Sequence, residues 1–73
     1  MEITALKSQT EQMFKEALKA YFASKASGYS TEADMAYYKN KASGIQCVLE
    51  DVFKSTKEEL DLIINTEIAN RPQ

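Results

Sequence analysis

Along the first third of the chain, apolar residues return every three or four positions. Ile3, Leu6, Met13, Phe14, Ala17, Leu18, Tyr21 and Phe22 follow this spacing, with Thr10 in the one gap. At about 100° per residue these positions share one broad face of a helix. Glu11 and Lys15 fall on the other side as an i,i+4 pair of favourable order. The pattern predicts an amphipathic helix over about residues 3–26. A second stripe is more regular: Met35, Tyr38, Ala42, Ile45, Leu49 and Val52 alternate steps of three and four, and Val48 and Phe53 widen it. This seam suits packing along another helix at a shallow angle, over a helix of about residues 31–54. Leu60, Ile63, Ile64 and Ile68 mark a third helix, over about 56–70.

Punctuation divides the stripes. The tetrapeptide Lys-Ala-Ser-Gly occurs at 25–28 and again at 41–44. After Gly28 the chain reaches Thr31 and Asp34, which have capping-box spacing with Asp in place of the usual Glu or Gln. Gly28 is thus placed to end the first helix in the left-handed conformation. No cap follows Gly44, and Ile45, Leu49 and Val52 keep the phase of Tyr38 and Ala42. The second glycine therefore falls inside a helix, either as a tolerated imperfection or as a place where another backbone comes close. Ser55 with Glu58 and Thr56 with Glu59 are alternative start signals for the third helix. Leu60 and Ile63 also continue the second helix's phase, so a single rod over residues 31–70 is the competing arrangement.

The fold expected is all-α: one helical domain over residues 1–73, a helical hairpin extended to a three-helix bundle. The alternative is a dimeric hairpin of two long helices, 3–26 and 31–70. A chain of 73 residues buries a limited core, and small unstapled domains of this kind gain from oligomerisation. The single cysteine, Cys47, rules out an intrachain disulfide. With no histidine and one thiol, a structural zinc site of four nitrogen or sulfur ligands cannot assemble in one chain.

Chemistry finds little purchase. Cys47 has no histidine to activate it. The carboxylates Glu50, Asp51, Glu58, Glu59 and Asp61 lack the alternating oxygen ligands of an EF-hand loop, and no Glu-x-x-His supports a di-iron bundle. No glycine-rich phosphate loop is present. The sequence therefore gives no catalytic, cofactor-binding or metal-binding residues, and the protein is expected not to be an enzyme.

Charge adds one exclusion. Residues 1–45 carry six lysines against five acids, and residues 46–73 carry three basic residues against six acids, for a net charge of −2. Lys7, Lys15 and Lys19 share a side of the first helix, but Glu11 lies among them. An acidic total with pI near 5.0 argues against nucleic-acid binding. The polar start and the lack of a long apolar run argue against a signal peptide or a membrane span, and a lone thiol fits a reducing setting. The location expected is the cytoplasm.

What remains is apolar surface beyond what one small core needs. Phe22 at the edge of the first stripe, Tyr29 in the first loop, Tyr37 on the flank of the second helix, Gly44 and Leu62 are the candidate partner-binding residues. The function expected is a small interaction module binding another protein, or itself as a dimer, through apolar helical faces. Adaptors, assembly chaperones, inhibitors and the small proteins of phages and mobile elements share this profile. A DNA-associated regulator and a structural subunit of a larger assembly are the competing functions.

Overall fold

The computed structural model describes residues 2–28 and 31–71. Helices α1 (Ile3–Ser27), α2 (Glu32–Asp51) and α3 (Lys57–Ala69) follow one another, with no strand among the described residues. Helix α1 ends at Gly28, whose φ of 73° is the left-handed stop that the sequence led us to expect. Thr31 then opens α2 with a reciprocal capping box. Its hydroxyl accepts the Asp34 N–H at 3.1 Å, and the Asp34 carboxylate accepts the Thr31 N–H at 3.2 Å. Each bond satisfies a donor that the first turn would otherwise leave unpaired.

The second junction decides between three helices and a rod. Helix α2 stops at Asp51, three residues before the expected end, and the continuous helix over 31–70 does not form. The Val52 N–H still donates to the Val48 carbonyl at 2.8 Å, but the Ser55 N–H reaches back six residues to the Leu49 carbonyl at 2.9 Å. The Phe53 N–H also reaches the Val48 carbonyl at 3.4 Å, and Lys54 (φ 58°) takes a left-handed conformation of the kind glycine usually supplies where a helix ends. Of the two candidate start signals, Thr56 is used: its hydroxyl accepts the Glu59 N–H at 3.2 Å. Ser55 is buried instead, and its hydroxyl has no partner among the described residues.

Helix α1 is the central element. It packs along the antiparallel α2 and more sparingly against α3, whereas α2 and α3 hardly touch. Helix α3 runs parallel to α1: Lys7 pairs with Glu59 near the start of both, and Phe22 lies by Glu67 near their ends. The core is Phe14, Ala17 and Leu18 of α1, Ala42, Ile45 and Leu49 of α2, and Leu60 and Ile63 of α3, with Phe22, Phe53 and Ile64 packed at its margin. Phe14 and Leu49 are wholly enclosed. Burial of a side chain of that size contributes about 1.5–3 kcal/mol.

Several stripe residues lie outside this core. Val52, expected in the α2 seam, is 66% exposed, and Val48, Met13, Leu6 and Ile3 are exposed as well. A strict heptad drifts about 20° per repeat on a straight helix, so the far end of a seam rotates away from its partner. Val52 also sits just past the last helical residue. Ile3 and Leu6 occupy the first turns of an α1 that is longer than the α2 it packs along.

Candidate functional site

The chemistry-bearing residues remain scattered. Among the described residues no three His, Cys, Asp or Glu side chains come together in a way that could hold a metal ion. Cys47 is free and exposed. Among the described residues no helix is long and apolar enough to cross a membrane.

Shallow depressions open between the helices. One, of about 610 Å³, lies at the α2–α3 junction and is lined by Gln46, Glu50, Asp51, Ser55 and Lys57, among others. Another, of about 250 Å³, is formed by Lys19, Phe22 and Ala23 of α1 with Glu67, Asn70 and Arg71. Glu67 is 5% exposed and falls in the Leu60–Ile63 stripe, seven residues beyond Leu60. Sequence reasoning passed over it, although a carboxylate in phase with an apolar stripe is a readable signal. A third depression, also about 250 Å³, lies between α1 and α2 and is lined by Met13, Glu16, Ala17, Ala20, Tyr38 and Lys41.

That third depression is the middle of a larger surface. Gln46 and Glu50 of α2 line the junction cavity with Leu60 and Asp61 of α3, which fixes the side of α2 that looks toward α3. Val48, Val52 and Tyr37 lie on the opposite side of α2 by helical phase, as does Lys41. On α1, Phe22 and Lys19 mark the α3 side, while Leu6, Met13 and Ala20 are turned toward α2 and away from α3. The α1–α2 hairpin therefore has an uncovered face opposite α3, which carries the exposed Leu6, Met13, Tyr37, Val48 and Val52.

Of the residues singled out from sequence, this face gathers Tyr37 and Gly44. Tyr37 is 60% exposed and meets Tyr38 edge-on at a centroid distance of 5.3 Å. Gly44 is exposed in mid-helix, and nothing stands within 4 Å of where a Cβ would lie, so no backbone of this chain closes on it. Phe22 is elsewhere: half-buried against the core, tilted on Tyr21 at 5.4 Å, on the α3 side of α1. Leu62 is 69% exposed but points outward from α3, away from the face. Tyr29 lies outside the described residues. Val48 and Val52 were assigned to the core seam, and their place on this face follows only once the end of α2 is known.

The electrostatics are correspondingly modest. Lys7 donates to the Glu59 carboxylate at 2.9 Å, the ion pair that ties α1 to α3. The bond from Lys7 holds the Glu59 carboxyl below the ordinary carboxylate range, and the same bond raises Lys7 above the ordinary lysine value. Both groups are solvent-accessible, so salt screens their attraction. Compared with protein-family models, with curated proteins and with solved structures, the chain matches none of them.

Proposed function

We propose that the protein is a non-catalytic interaction module whose contact surface is the α1–α2 face opposite α3. The observation that carries this reading is the clustering of Leu6, Met13, Tyr37, Val48 and Val52 on that one face while α3 covers the other side of α1. Exposed apolar side chains that gather on one face mark an interaction surface more readily than apolar residues scattered singly. Tyrosine and methionine are suited to the role, since each offers large contact area and adapts to its neighbour. We read the setting as the cytoplasm, because the exposed thiol of Cys47 suits a reducing compartment.

The test is capture of a partner on the tagged protein, repeated with Tyr37→Lys plus Val48→Lys and with Leu62→Lys. A specific protein retained by the parent and by Leu62→Lys, but lost in the double variant, is the expected result. Retention that depends on Leu62 and not on Val48 moves the contact surface to α3 and ends this reading.

A further inference from the structure

Helices α1 and α3 run parallel, so their carbonyl ends lie at the same end of the molecule. Each such end carries a partial negative charge. Glu67 falls in the last turn of α3, the end of the dipole that disfavours a carboxylate. It is also 5% exposed, and among the described residues it accepts no hydrogen bond and joins no ion pair. A buried carboxylate with no donor costs far more than a buried hydroxyl such as that of Ser55. Arg71 follows it by four residues, the spacing of a helical ion pair, but α3 ends at Ala69 between them and the pair does not form.

Glu67 lines the depression of about 250 Å³ near the ends of the two helices. Two stretches of equal spacing wall it, Lys19, Phe22 and Ala23 from α1 and Glu67, Asn70 and Arg71 from α3 and the residues after it. The buried Glu67 and half-buried Phe22 form its inner part, and the exposed Lys19, Asn70 and Arg71 its mouth. At roughly 30 Å³ for each water-sized group, the space takes about eight such groups, the size of one amino acid.

We propose that this depression is a binding site for a free α-amino acid with an apolar side chain. The ammonium group supplies the donors and the positive charge that Glu67 lacks. The apolar side chain lies along Phe22 and Ala23, which removes further area from water. The mouth decides between a plain amine and an amino acid. Lys19 and Arg71 repel a bare cation, whereas with the Asn70 amide they can hold a carboxylate. A zwitterion answers both ends of the site; an apolar anion answers only the mouth. The site lies on the α3 side of α1, so it does not depend on the α1–α2 contact face.

Titration with L-leucine, L-methionine and L-phenylalanine up to about 10 mM, followed by backbone amide shifts in NMR spectra, tests the proposal. We expect saturable binding of at least one of them, with shifts centred on Phe22, Ala23 and Glu67. Its N-acetyl form, which lacks the ammonium, should bind at least about 10-fold more weakly. Glu67→Gln should weaken the amino acid by a similar factor, with helicity unchanged and a melting temperature no lower than the parent's. In Lys19→Gln combined with Arg71→Gln, the amino acid should lose its advantage over its carboxamide. No saturable shift with any of the three amino acids overturns the proposal, as does an N-acetyl form that binds equally well or binding unchanged in Glu67→Gln. A melting temperature that falls equally in Glu67→Gln, in Arg71→Gln and in their combination assigns Glu67 to an internal ion pair, and overturns it too. The contact face is tested separately, through Val48.

Discussion

Leu49 and Val48 are adjacent in the chain and of similar character, yet one is 0% and the other 42% exposed. They belong to two seams of α2, the inner one closed by Phe14 and its neighbours and the outer one, through Tyr37, Lys41, Gly44, Val48 and Val52, open. The inner seam is made where α1 and α3 supply apolar partners, and its residues stabilise the fold. The outer seam has similar spacing and no partner within the chain, so its residues add little to stability and remain free for contact. Hydrophobic periodicity alone cannot separate the two, because both recur at three and four residues. Which seam is inner depends on where the other helices lie.

Truncation draws the contrast most sharply. Leu49→Ala removes a wholly enclosed side chain and should lower the unfolding free energy by about 2–5 kcal/mol. Val48→Ala should change it by no more than about 0.5 kcal/mol in the absence of a partner. Urea unfolding followed by circular dichroism measures both. Comparable losses for the two would mean that the outer seam is also packed in the isolated chain.

The inner seam is kept short by the junction at residues 52–56, and neighbouring residues there should respond with different signs. Thr56→Ala removes the acceptor for the Glu59 N–H and should cost about 1 kcal/mol. Ser55→Ala removes a buried hydroxyl that has no partner, and should be neutral or stabilising. A loss in Ser55→Ala as large as that in Thr56→Ala would show that the Ser55 hydroxyl is satisfied after all.

These same residues show what could be read from sequence. The helix count, the stop at Gly28, the Thr31–Asp34 box and the mid-helix position of Gly44 all rest on local rules, and the structure agrees with each. Thr56 and Ser55 offered equal start signals by spacing. The choice between them turned on Lys54 adopting a left-handed conformation, which a residue with a Cβ does not advertise. The apolar face was legible only in part. Tyr37, singled out on the flank of the second stripe, and Gly44, singled out as a glycine inside a helix, both lie on this face, whereas Phe22 and Leu62 lie on other sides of the molecule. Val48 and Val52 looked like core because the spacing counts residues and not the neighbours that cover them.

Two backbone substitutions refine the comparison at smaller amplitude. Gly44→Ala replaces a helix-interior glycine in open space, so the monomer should gain about 0.5–1 kcal/mol while the outer seam binds less well. Lys54→Gly relieves a left-handed residue at the end of α2 and should add about 1 kcal/mol, with no effect on the outer seam. Thermal melts and partner capture on the same samples separate the two effects. A Gly44→Ala variant that gains stability and retains the partner as tightly as the parent would remove Gly44 from the contact.

The smallest expected effect lies farthest from the outer seam, in the Lys7–Glu59 pair on the α3 side. Glu59 has a lowered pKa in the folded chain, so its contribution is present above the unfolded value and is lost as pH falls through the folded one. Lys7 has a raised pKa, so its contribution is present below the unfolded value and is lost as pH rises through the folded one. The pair therefore supports the fold on a plateau from about pH 5 to about pH 10, with shoulders at both ends. Glu59→Gln should flatten the shoulders attributable to the pair, most visibly at low ionic strength, because both groups are open to solvent and screened by salt. The outer seam has no part in this pair, so Val48→Lys should leave the shape of the stability–pH curve unchanged. If Val48→Lys shifts the shoulders as Glu59→Gln does, the two sides of α1 are coupled, and the division of the molecule into a structural side and a contact side fails.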